Sequence, residues 1–94
     1  MELKDTVKMM LHEDYQCRFI AEYDQTKIRY EKLKDFCNKI EAAQRTQGDT
    51  SAPKKLEEPK HDCPYELLRE QQRAMGQYLH ILEIRAEIEG IAIW

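Results

Sequence analysis

The chain has 94 residues, of which 35% are charged, with a net charge of -3 and a mean hydropathy of -0.81. That length makes one small domain with a limited core, and three Gly and three Pro are too few for a loop-rich or low-complexity protein. Basic and acidic residues number nine and nine in 1–47, three and four in 48–62, and three and five in 63–94, so no segment has the cationic excess that holds phosphate backbones, and nucleic acid is not the expected partner.

The first stretch, MELKDTVKMMLHEDY, lacks the continuous apolar run of a signal peptide, and nothing along the chain approaches the ~18 apolar residues of a membrane span, so a cytoplasmic protein is expected. Leu3, Val7, Met10 and Leu11 form a short apolar set that predicts a first helix over about 2–11. HEDY at 12–15 interrupts it with groups suited to a helix start, and a long second helix follows over about 13–43, with no Pro or Gly to break it. In that helix Phe19, Tyr23, Thr26, Tyr30, Leu33, Cys37 and Ile40 recur at alternating steps of four and three, which keeps them on one stripe. Glu22, Asp24, Lys27, Arg29, Glu31, Lys32 and Lys34 lie between them, a mixed-charge outer face.

Residues 44–62, QRTQGDTSAPKKLEEPKHD, bring Gly48, Pro53 and Pro59 together with small and charged residues around one large aliphatic side chain, Leu56, and predict a flexible connector. The last helix is expected over about 64–90, with Pro64 in its first turn, Glu66 near its positive end and either Asp62, which has the better chemistry, or Cys63 as its cap. Here Leu68, Gln72, Met75, Leu79, Leu82 and Ala86 repeat the four-three spacing. Two seams joined by a connector predict an all-α fold, an antiparallel coiled-coil-like helical hairpin in a single domain. Its intrachain core is expected at Phe19, Tyr23, Tyr30, Leu33, Cys37, Ile40, Leu68, Met75, Leu79 and Leu82.

A second series on the last helix, Leu67, Gln71, Ala74, Tyr78, Ile81, Arg85 and Ile88, runs beside the first, with Ile84 and Ile91 further round. One partner helix cannot cover both. Tyr78, Ile81, Ile84, Ile88, Ile91 and Trp94 are therefore the expected interface for a second copy or another protein, and a homo-oligomer, a dimer or higher that forms a helical bundle, is expected.

No catalytic constellation emerges. Cys17 and Cys37 are twenty residues apart on one predicted helix, about 30 Å, and cannot share a metal, while Cys37, His61 and Cys63 could meet at the connector end but carry no C-x-x-C clamp. An odd number of cysteines at irregular spacing makes no disulfide framework. Glu57 and Glu58 fall in the connector, Glu87 and Glu89 do not face one another on a helix, and His80 beside the seam reads as a structural histidine. Neither a Gly-rich phosphate loop nor a zinc-protease helix motif occurs. The expectation is no enzyme, no metal and no cofactor. Arg69 and Arg73, four residues apart, are candidate contacts for an anionic ligand in an oligomer, together with Tyr78, or else pair with Glu66 and Glu70 along the helix.

The segments RFIAEYDQTKIRYEKLKDF (18–36) and CPYELLREQQRAMGQYLHILEIRAEIEGI (63–91), separated by a variable connector, resemble a family of small helical proteins of tailed bacteriophages and prophages, including crAss-like gut phages and phages of Gram-positive hosts. Leu67-Leu68, Gln71, Ala74-Met75, Tyr78, Leu82-Glu83 and Arg85, with the stretch from Tyr30 to Phe36, carry the resemblance. These are packing motifs, and the family has no established enzyme function to transfer. The resemblance implies a phage accessory protein made in the cytoplasm of a bacterial host. The function expected from it is non-enzymatic binding to a host protein, of the anti-defence kind, such as an anti-CRISPR inhibitor. The alternatives are an oligomeric sponge that sequesters a nucleotide immune signal and a virion or packaging accessory protein.

Overall fold

A computed structural model describes residues 2–48, 51 and 56–93; the middle of the expected connector and Trp94 lie outside the described residues. Those described are helical or irregular, with no strand among them. A 3-10 turn, Leu3–Thr6, runs into a single helical turn, α1 (Val7–Met10), followed by α2 (Tyr15–Thr46) and α3 (Tyr65–Glu89).

The break before α2 is made by local hydrogen bonds. Asp14 caps the helix, its carboxylate accepting the Gln16 N–H at 2.9 Å, and the Arg18 guanidinium reaches back to donate to the carbonyls of His12 (2.9 Å) and Glu13 (2.6 Å). The amino-terminal segment then folds back along α2. Thr6 has no exposed surface and satisfies its hydroxyl on the Leu3 carbonyl at 2.7 Å. Ala21, also without exposed surface, is about 200° round the helix from Phe19 and Tyr23, so α2 is covered on two flanks in its first half.

The two long helices form an antiparallel hairpin whose register can be followed pair by pair. Tyr23 bonds Glu83, the ring of Tyr30 lies under Gly76, and Glu41 bonds Tyr65; each advance along α2 is matched by an equal retreat along α3. Gly76 permits the middle contact, because a Cβ there would sit 3.2 Å from the Tyr30 ring. α2 has 32 residues and α3 has 25, about 48 and 38 Å of rise, so α3 cannot sheathe its mate from end to end.

Phe19, Tyr23, Leu79, Leu82 and Ala86 make the main buried cluster, with Ile20 and Tyr30 packed against it. Cys37, Ile40 and Ala43 are buried nearer the connector, and Leu33, Leu68 and Met75 are half-buried. Two features of α3 differ from expectation. Neither Asp62 nor Cys63 caps it: Pro64, at φ -58° and ψ 145°, turns the chain into the helix, which starts at Tyr65, and the Pro64 carbonyl accepts the N–H groups of Leu67 and Leu68. At the other end Gly90 adopts φ 70°, the left-handed conformation that glycine enters without steric cost, and the Ile91 N–H returns to the Ala86 carbonyl at 2.9 Å. The chain reverses there and brings Ile91 and Ile93 into the main cluster.

Candidate binding surface

The outer face of α3 remains uncovered. Tyr78, Ile81 and Ile84 are 41%, 46% and 49% exposed, and Ile88 is 79% exposed. Leu67, further up the same helix, is also exposed. Ile91, expected to belong to this face, does not: extending the helical spacing past residue 90 places it outside, whereas the left-handed turn at Gly90 tucks it inside. A second exposed apolar set, Val7, Met10 and Leu11, lies on the amino-terminal segment. Completing the burial of Ile81, Ile84 and Ile88 would contribute roughly 1 to 2 kcal/mol each.

Polar pairings, each a tyrosine hydroxyl against a glutamate, flank the seam. Tyr15 donates to Glu89 at 2.9 Å and accepts from Arg85 at 2.6 Å, Tyr23 donates to Glu83 at 2.6 Å, and Tyr65 donates to Glu41 at 2.6 Å. Burial, then the Glu83 contact, pushes the Tyr23 hydroxyl up to about 12, so it remains a donor across the neutral range. Spacing puts Tyr23 on the seam of α2, but the partners of Tyr15, Tyr23 and Tyr65 follow only from the antiparallel register.

Arg69 is committed within the chain. Its guanidinium donates to Asn38 at 2.8 Å, to Glu41 at 3.1 Å, to the Tyr65 hydroxyl at 2.8 Å and to Gln72, and its side chain is only 15% exposed. In place of the expected Glu66 and Glu70, the guanidinium takes Tyr65 and Gln72 on its own helix and crosses the hairpin to Asn38 and Glu41. The fork is spent on these acceptors and offers an incoming anion little. Arg73, one turn on, is exposed. His80 is exposed as well, not tucked beside the seam.

A cleft of about 220 Å³ opens on one flank of the hairpin between Tyr23, Tyr30, Gly76 and Leu79, with Lys27, Glu31 and Glu83 at its walls. The Lys27 ammonium sits 5.9 Å from the centre of the Tyr23 ring. This space lies below the roughly 300–1,000 Å³ of ordinary small-molecule pockets, so a ligand of nucleotide size would need further walls. Among the described residues no group of three or more His, Cys, Asp or Glu is placed to hold a metal ion, and no helix is long and apolar enough to cross a membrane. Cys37 is buried and Cys63 exposed.

One family profile, Sequestin, matches residues 13–88, which span the break, both long helices and the connector. The chain belongs to the Sequestin family. No curated protein and no solved structure matches the chain.

Proposed function

We propose that this chain is a non-enzymatic accessory protein of a bacteriophage, acting in the host cytoplasm by sequestration, and that its copies associate through the outer face of α3. The bound molecule in this reading is a nucleotide immune signal, held in pockets completed between copies. The exposed stripe of Tyr78, Ile81, Ile84 and Ile88 carries the proposal. The family's name supports capture over chemistry, and the flank cleft, about 220 Å³, is too small to enclose a nucleotide within one chain. Arg73 and Tyr78 remain candidate contacts on that face; Arg69, held by Glu41, Asn38 and Tyr65, is set aside.

A direct host-protein inhibitor, of the anti-CRISPR type, is the second reading, since the same apolar stripe could seat a foreign helix. The two separate cleanly. Sedimentation equilibrium is expected to give a mass above one chain, reduced in Ile81→Glu/Ile88→Glu. Thermal unfolding with a panel of cyclic nucleotides is expected to show a ligand-dependent rise, with the nucleotide recovered unaltered. A multimer that no nucleotide stabilises would favour the host-protein reading, and a monomer at high concentration would remove the basis of the sponge.

A further inference from the structure

The connector rejoins the hairpin through residues 56–63, and one side chain fastens it there. The His61 ring stands edge-on to Phe36 of α2, with centroids 6.4 Å apart and planes at 87°. Its Nε2 lies 2.9 Å from Glu58 Oε1 and its Nδ1 lies 2.6 Å from the Cys63 carbonyl oxygen. Glu58 Oε1 also accepts from the Gln44 amide of α2 at 3.1 Å, so the carboxylate ties the returning segment to the helix.

Both atoms facing the imidazole are acceptors. A backbone carbonyl never donates, and Glu58 is held ionised because His61, then Gln44, lowers its pKa. A neutral imidazole carries one N–H and one bare lone pair. It could satisfy one of these contacts and would set its lone pair against oxygen in the other. Only the imidazolium donates to both.

We propose that His61 is a proton-operated clasp: charged, it holds residues 58–63 against α2 at Phe36 and Gln44, and on losing its proton it releases one of its two acceptors and loosens the entry to α3. The location gives the release a consequence, since Tyr65, two residues beyond Cys63, joins Glu41 and Arg69 across the hairpin. Charged groups acting on the ring are Glu58 and Asp62, both on the returning segment; α2 presents the Phe36 ring and the neutral Gln44 amide. The Glu58 hydrogen bond, followed by the Cys63 carbonyl, raises the His61 pKa above 6.5. For a raised pKa the contribution is complete below the unfolded value and is lost as pH climbs through the folded one. The clasp is therefore closed in mild acid and opens on the alkaline side, and this holds whatever the chain sequesters.

The test uses the full chain, labelled with ¹⁵N. Imidazole resonances followed against pH give the His61 pKa, and amide exchange, corrected for intrinsic rate, gives the protection of residues 60–63 on either side of that transition. His61 is expected to titrate above 6.5, with protection falling by up to about tenfold for each unit of elevation, while amides around Phe19 and Tyr23 hold steady. Glu58→Gln is expected to lower the His61 pKa and flatten the dependence. His61→Phe keeps a ring against Phe36 and is expected to abolish it. A His61 that titrates at or below 6.5, protection that ignores the transition, or a Phe variant that retains the wild-type dependence would each overturn the proposal.

Discussion

Where the first turns of α2 meet the last turns of α3, Phe19, Tyr23, Leu79, Leu82 and Ala86 pack together and the chain after Gly90 folds Ile91 and Ile93 in beneath them. At the connector end the apolar layer thins to Cys37, Ile40 and Ala43, and side-chain hydrogen bonds fasten what lies outside it: Glu41 with Tyr65 and Arg69, and His61 with Glu58. One end is closed chiefly by removing carbon from water, which neither protons nor salt disturb much, with the Tyr15–Glu89 and Tyr23–Glu83 bonds at its rim. The other is closed by charge-assisted bonds at partly exposed groups, which both disturb. A single hairpin thus has a firm end and a condition-dependent end, and the connector with its clasp belongs to the second.

The largest effect should come from the firm end. Leu82 is 1% exposed within the main cluster, and Leu82→Ala should cost about 3 kcal/mol through lost burial and the cavity left behind, read as a fall in the urea midpoint at unchanged slope. Arg69→Met should cost less. It keeps a buried stem of similar length but deprives Glu41, Asn38, Tyr65 and Gln72 of a shared donor; most of these can turn to water, so about 1 to 1.5 kcal/mol is expected. If Arg69→Met proved as damaging as Leu82→Ala in the same denaturation series, the contrast between the ends would collapse.

Much of this architecture was legible from spacing alone. The alternating steps of four and three in 19–40 and 68–86 specify two stripes, and two stripes across a Pro- and Gly-bearing connector specify a hairpin. Three things escaped that reasoning, each for a physical reason. Periodicity carries no signal for a stop, so Ile91 was projected onto the outer face although Gly90 reverses the chain before it. Small residues register weakly as core, so neither Thr6 nor Ala21, both without exposed surface, stands out in the apolar pattern. Cross-helix polar pairs depend on register, which a single helical stripe does not contain: nothing in the spacing links Glu41 to Tyr65, which the antiparallel alignment sets 2.6 Å apart. At the candidate surface, spacing singled out Tyr78, Ile81, Ile84 and Ile88, which the structure leaves exposed, yet it also offered Arg69, whose donors are already taken.

The smallest effect expected is also the one that separates the two ends most selectively. Tyr65, then Arg69 and Arg45, hold the Glu41 carboxyl at about 2 against an ordinary value of 4.5. Because the folded value is depressed, Glu41 contributes fully above pH 4.5 and its contribution drains away as pH falls toward about 2. The side chain is 34% exposed, so solvent screening keeps the contribution small. Urea midpoints measured at pH 6 and pH 3 should therefore differ more for the native chain than for Glu41→Gln, whose amide oxygen still accepts from Tyr65 but has no charge to lose. Amide exchange locates the loss: between those pH values, corrected protection should fall around Glu41 and Tyr65 to a greater degree in the native chain than in Glu41→Gln, with Leu79 to Ala86 unchanged by the substitution. Equal acid sensitivity in the two proteins would mean that Arg69 and Tyr65 merely adjoin Glu41, and that packing of Cys37 and Ile40 closes the connector end as it does the other.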